Sequence, residues 1–160
     1  MKILGMISGT SHDGIDAVLV DFRLDGEELK ASVEKTGSTS YEPQLRNRLM
    51  QLLPPNETTI EEVCKVDTLI GKAFANLAKD MVQTTAADLV VSHGQTVYHW
   101  VEADQALGTL QLGQAAWIAN ATSASVLSDL RIADIASGGQ GAPVVPVLDL
   151  LTLGHEAECV

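Results

Sequence analysis

The apolar positions of this 160-residue chain change their spacing along its length, and those changes mark its elements. Ile3–Ile7, Ile15–Phe22 and roughly Leu29–Thr36 are runs rich in β-branched and aliphatic residues, and each reads as a strand. An Asp25-Gly26 pair between the last two favours a tight hairpin, so the chain opens as an antiparallel meander. From Pro43 to Leu53 the residues Leu45, Leu49, Leu52 and Leu53 recur at helical spacing, and Pro54-Pro55 ends that helix. A longer helix follows. Thr58 and Glu61 are spaced as a capping box, and Ile60, Val63, Cys64, Ile70, Phe74, Leu77 and Met81 mark an apolar face to about Thr84, with Gly71 weakening it locally. Next come a short buried-type strand Leu89–Val91, a polar loop, a strand near Thr109–Leu112, a helix near Gln114–Ala121 and a strand Ser125–Leu130. Arg131–Pro146, rich in Gly, Ala and Pro, is expected as an extended loop. Strands first, then alternating helices and strands, predict an α/β domain with a mixed sheet.

Composition narrows the class. With 46% apolar and 19% charged residues the chain suits one compact folded domain. A net charge of −11, with only ten Lys and Arg, argues against a nucleic-acid partner. Cys64 and Cys159 lie far apart without a CxxC pair, so reduced thiols are expected rather than a disulfide framework or a zinc site. No run reaches membrane-spanning length, and Ile3–Ile7 is too short for a signal-peptide core; no membrane partner and a cytoplasmic setting are expected.

The turn between the first two strands carries the strongest chemical signal. Gly9 and Gly14 are expected to bend the backbone with φ > 0, so that consecutive N–H groups and the hydroxyls of Ser8, Thr10 and Ser11 converge on phosphate oxygens. Asp13 and Asp16 would repel a bare phosphate and suggest an intervening Mg²⁺. An ordinary hairpin loop uses the same residue types. After the strand Leu89–Val91, His93, Gln95 and Thr96 offer donors and acceptors suited to sugar hydroxyls or a phosphate edge, with Gly94 permitting close approach. Further on, Asp129 or Asp134 is placed to fix the Arg131 guanidinium, either leaving its other N–H groups for a carboxylate or hydroxyl ligand or only tying the loop down. Gly138, Gly139 and Gly141 favour close approach by something to that loop. His99, Trp100, Trp117 and His155 read as structural residues.

Together these segments resemble the anhydro-N-acetylmuramic acid kinases of the sugar kinase/Hsp70/actin superfamily. Gly5-Met-Ile-Ser-Gly-Thr-Ser-His-Asp-Gly-Ile-Asp16 is similar to that family's nucleotide-phosphate loop, Ser92-His-Gly-Gln-Thr-Val97 to its second signature, and Ser128-Asp-Leu-Arg-Ile-Ala-Asp134 with Gly138-Gly-Gln-Gly-Ala-Pro143 to its third. The resemblance implies an actin-like ATPase (ribonuclease H-like) lobe, antiparallel strands first and helices on both faces. It implies ATP and Mg²⁺ as cofactors, with Gly9, Thr10, Ser11, His12, Asp13, Gly14, Ile15 and Asp16 on the nucleotide and Asp13 and Asp16 at the metal, directly or through water. His93, Gln95, Thr96, Arg131 and Asp134 would contact an anhydro-amino-sugar. The implied reaction phosphorylates O6 and opens the 1,6-anhydro ring with water, giving N-acetylmuramic acid 6-phosphate in cell-wall recycling. The motif that carries the family's catalytic base has no counterpart before Val160, so residues 1–160 read as a single amino-terminal lobe with the second lobe absent from this chain. Gln114-Ala115-Ala116 departs from a family position that is commonly acidic, and His12 from one that is usually Leu or Met. An actin-like ATPase switch or an inactive truncated fragment are the alternatives, and apolar surface near Val144–Leu153 would favour a homodimer.

Overall fold

The computed structural model describes residues 1–26 and 28–142. Val144–Leu153, His155 and Cys159 lie outside the described residues, as does Pro143 of the third signature. Six strands and four helices follow in the order β1 (Lys2–Ser8), β2 (Gly14–Asp25), β3 (Glu28–Ser40), α1 (Pro43–Leu52), α2 (Ile60–Met81), β4 (Leu89–Glu102), β5 (Gln105–Leu112), α3 (Ala115–Thr122), β6 (Ser125–Leu127) and α4 (Leu130–Ala136). The sheet runs β3-β2-β1-β4, and β4 then takes two partners. Its first half pairs with β6 in parallel, Val90 opposite Val126, and its second half pairs with β5 antiparallel, Gln95 opposite Leu112. Because β1 is antiparallel to β2 and parallel to β4, three antiparallel strands continue into parallel ones, the ribonuclease H-like arrangement.

One face of this sheet holds the core. Alternation puts Ile15, Ala17 and Leu19 of β2 beside Leu4 and Met6 of β1, against Val66, Ile70, Phe74, Ala78 and Met81 of α2, all buried. On the opposite face Ile7 and Leu127 are 45% and 50% exposed, so that side has little cover among the described residues. β3 is an edge strand, exposed nearly throughout and carrying Lys30, Glu34 and Lys35, charges that discourage pairing with another chain.

Four expectations are corrected. The long helix is capped by Thr59, whose hydroxyl accepts the Glu62 N–H at 3.1 Å, one residue later than Thr58 and Glu61 suggest. Glu62 does not return the bond as in a full capping box because Arg48 of α1 holds its carboxylate at 2.6 and 3.0 Å. The strand expected at Leu89–Val91 runs on to Glu102, since β5 supplies hydrogen-bond partners to its second half. Ser92–Thr96 therefore lies in a strand, bent by Gly94 at φ 70° and by the register shift between Met6 and Ser8. Arg131–Ala136 is helical rather than extended, starting after Asp129 in the left-handed region at φ 58°. Finally, Gly71 does more than weaken α2. A Cβ there would lie 2.8 Å from Trp117 Cδ1 and 3.0 Å from Gln114 O, so the missing side chain is what lets α2 and α3 pack closely.

Candidate functional site

The β1–β2 loop, residues 9–13, is held by its carbonyls. Gln95 Nε2 donates to Gly9 O at 3.2 Å, Arg46 Nε to His12 O at 3.0 Å, and the Tyr41 N–H to Asp13 O at 2.9 Å. Ser8 Oγ lies 2.6 Å from both Gly14 O and Gln95 Oε1, its one proton shared between the two acceptors. With the carbonyls drawn toward the protein, the N–H groups of Thr10 and Ser11 have no protein acceptor among the described residues. Free amides on a loop whose carbonyls face inward form the concave, positive surface that binds anions. The positive φ expected at Gly9 and Gly14 falls instead on His12, at 51°. Gly14 is needed for a different reason: a Cβ there would sit 2.3 Å from Thr39 O, inside the β2–β3 pairing.

Asp13 and Asp16 face a polar cleft of about 370 Å³ shared with Ser11 and Ser38–Ser40. Ser11 Oγ donates to Asp13 Oδ1 at 2.6 Å, and that bond holds the Asp13 carboxyl below the usual carboxylate range. Asp16 is exposed between buried Ile15 and Ala17, so alternation along β2 turns it away from the core. Ile15 lines the cleft but is buried, a structural member of the loop's anchor. Among the described residues no three His, Cys, Asp or Glu side chains gather as a metal cage. Mg²⁺ needs none, since it keeps waters and binds through one or two carboxylates plus substrate phosphate.

On the other side of the loop, Gly9, Thr10 and His12 meet His93, Gln95, Thr96, His99 and Arg131 around a cavity of about 570 Å³. Gln95 is 1% exposed and serves as the clamp described above. Arg131 is fixed by neither Asp129 nor Asp134. Its Nε donates to Gly141 O at 2.8 Å and its Nη1 to Thr96 Oγ1 at 3.0 Å, which leaves Nη2 without a partner among the described residues. Asp134 lies outside the cavity and acts one step back: its Oδ2 accepts the Gly141 N–H at 2.7 Å and so holds the carbonyl that holds Arg131. Gly139 makes room for this, since a Cβ there would come within 2.2 Å of that same carboxylate oxygen. Among the described residues three histidines and one arginine line the cavity and no carboxylate does, in a chain that carries 21 Asp and Glu. Such a lining favours an anionic ligand.

A family model matches residues 1–160 and describes anhydro-N-acetylmuramic acid kinase. The chain belongs to that family. It is 47% identical over 156 residues to the anhydro-N-acetylmuramic acid kinase of Rhodococcus erythropolis, covering 96% of this chain and 39% of that protein. The same-named protein of Streptomyces avermitilis is 49% identical over 160 residues, covering 98% of this chain and 42% of its own length. That of Synechococcus elongatus is 41% identical, covering 99% and 42%. The chain thus spans about two fifths of the length of these curated relatives. Among solved structures, that of Thermus thermophilus RuvC overlays it at a TM-score of 0.44 with 14% identity, over 100% of this chain and 85% of that one. No helix among the described residues is long and apolar enough to cross a membrane.

Several residues of this family member acquire a place only from the structure. Arg46 and Tyr41 support the loop from α1 and the β3–α1 junction, and neither stands near a signature motif. A further cavity of about 320 Å³ borders His93 on its other side, between the start of α2, β4, the end of β5 and the start of α3. Asp67 lies on its wall, with Oδ1 accepting the N–H groups of Gly113 at 2.7 Å and Gln114 at 3.1 Å. A signal for Asp67 exists in the sequence, because it interrupts the apolar stripe of α2 between Val63 and Ile70.

Proposed function

We propose that residues 1–160 form the phosphate- and sugar-binding lobe of an ATP- and Mg²⁺-dependent kinase acting on 1,6-anhydro-N-acetylmuramic acid in the cytoplasm. In this reading ATP, the anhydro-sugar and water yield ADP and N-acetylmuramic acid 6-phosphate, with phosphorylation at O6 and hydrolytic opening of the anhydro ring, a cell-wall recycling step. The observation that carries it is the cavity that no carboxylate lines among the described residues, in a chain of net charge −11, with the open Thr10 and Ser11 loop at one side and Arg131 at the other. The open amides of Thr10 and Ser11, within the segment 9–16, hold the nucleotide phosphates, and Asp13 and Asp16 hold Mg²⁺ directly or through water. ATP supplies the phosphoryl group. His93, Thr96 and Arg131 orient the sugar, Gln95 keeps the loop in register with β4, and Asp134 keeps Arg131 in place. A second lobe completes the cleft and carries the base that activates water. Alignment of this kind supplies roughly 7–11 kcal/mol of a barrier, so half a cleft should not turn over.

Two measurements test this. In a protein that also contains the second lobe, Asp13→Asn should abolish turnover while circular dichroism stays unchanged, and unaltered kinetics would remove the metal role. The 160-residue chain alone should form no sugar 6-phosphate from ATP, Mg²⁺ and the anhydro-sugar. Robust formation would put the catalytic base within these residues.

A further inference from the structure

Apolar packing does little to hold α4, because none of its side chains is buried among the described residues, yet Arg131 in its first turn keeps a fixed place at the cavity. Hydrogen bonds to the β4–β5 hairpin hold it instead. Arg131 Nη1 donates to Thr96 Oγ1 at 3.0 Å, and that hydroxyl also accepts from Gln111 Nε2 at 3.2 Å. The other tie leaves the guanidinium out. Gln140, in the glycine turn after α4, accepts the Ala106 N–H on Oε1 at 2.8 Å and donates from Nε2 to Asp104 O at 3.4 Å.

Gln105 pairs with Glu102 across the hairpin, so Asp104 O and the Ala106 N–H lie on the free edge of β5. A neighbouring strand would bond that edge through a peptide group, and the Gln140 carboxamide makes the same two bonds with a side chain. Gln140 is exposed and does not line the cavity, so neither core packing nor ligand contact accounts for it. Beside it, Gly141 turns through the left-handed region at φ 68°, gives its N–H to Asp134 Oδ2 at 2.7 Å and offers its carbonyl to Arg131 Nε at 2.8 Å. The contacts close a ring that runs from Thr96 through Arg131, Gly141 and Gln140 back to the hairpin at Ala106.

We infer that Gln140 is a positioning residue for Arg131. By fastening the glycine turn to the edge of β5 it fixes Gly141 O, and with it the direction in which the guanidinium presents its remaining Nη2 to the cavity. In the kinase reading above, on which this rests, Arg131 meets the sugar, so Gln140 contributes to sugar affinity without touching the ligand.

Solvent exchange of the Arg131 Nε–H, read by NMR in the 160-residue chain, reports the coupling directly. Gln140→Met keeps the length of the side chain and loses both bonds, and exchange of that proton should quicken about fivefold or more. Gln140→Glu keeps an oxygen for the Ala106 N–H and should restore most of the protection. Binding of millimolar 1,6-anhydro-N-acetylmuramic acid, followed at the His93 and Thr96 resonances, should weaken about two- to tenfold in Gln140→Met, the range that ordering one long side chain is worth, with tripolyphosphate binding unchanged. In an Arg131→Lys background the same substitution should cost nothing further. A lowered urea midpoint with Arg131 exchange and sugar binding unchanged makes Gln140 a structural tie alone; it overturns the inference and leaves the kinase reading standing. Faster exchange with undiminished sugar binding, or additive losses from Gln140→Met and Arg131→Lys, overturns it too. Binding of tripolyphosphate with no binding of the sugar to wild type removes the sugar half of the kinase reading, and the contribution of Gln140 to affinity with it.

Discussion

Gly71→Ala sets helix propensity against packing, and the two predict opposite signs. In an isolated helix the substitution gains about 0.8–1 kcal/mol, because alanine loses less backbone freedom on folding. In this protein the new Cβ would stand 2.8 Å from Trp117 Cδ1, 3.0 Å from Gln114 O and 3.1 Å from Gln114 N. Trp117 is 38% exposed and can swing away at the loss of its stacking beneath Lys72, whose Nζ lies 4.7 Å from the ring centroid. The Gln114 backbone has no such freedom, since Asp67 holds the amides of Gly113 and Gln114. Relief therefore requires a shift of α3 as a whole, and overpacking of this kind costs about 1–3 kcal/mol. Subtracting the propensity gain leaves a net loss of about 1 kcal/mol, readable as a lowered urea midpoint at unchanged slope. Asp67→Ala frees the turn, so the Gly71→Ala penalty should shrink in the double variant, a coupling of about 0.5 kcal/mol or more. A Gly71→Ala protein as stable as wild type, or additive with Asp67→Ala, would refute the packing argument.

Burial pushes the Tyr41 phenol up to about 12 from its ordinary 10.0. Below pH 10 both folded and unfolded states hold that proton; between about 10 and 12 only the folded state does, so stability falls with rising pH by about 2–3 kcal/mol over that window. Tyr41→Phe should lack this alkaline loss, and matching alkaline unfolding curves would contradict it. Arg131→Lys keeps the charge but cannot bridge Gly141 O and Thr96 Oγ1 with a planar fork; sugar binding should weaken with nucleotide affinity nearly unchanged, and equal losses would mark a structural tie. Asp134→Ala leaves the Gly141 N–H without its acceptor, which should speed its hydrogen exchange and cost about 1 kcal/mol, with no change in tripolyphosphate binding.

Local information was enough for the meander, the α1 helix and the apolar face of α2. A Gly at the Asp25-Gly26 turn, alternation through Ile15, Ala17 and Leu19, and leucines at helical spacing are rules written between near neighbours. The motif residues Gly9, Thr10, His93, Thr96 and Arg131 were legible too, and the first four meet at one cavity because β1 and β4 are parallel neighbours that set Ser8, where β1 ends, opposite Gln95 in the middle of β4. What escaped was whatever depended on a distant partner. β4 extends past Val91 because β5 returns to pair with it, and Gly71 is needed because Trp117 and Gln114 arrive 43 to 46 residues later. Arg131 is held by a carbonyl and a threonine rather than by the acids beside it, since α4 turns Asp134 toward the glycine turn. The sorting of a cavity that no acid among the described residues lines from one lined by Asp67 and Asp129 is likewise a tertiary fact. Charge composition counts carboxylates along the chain, and only the packing of α2, α3 and β4 decides which of them face a ligand.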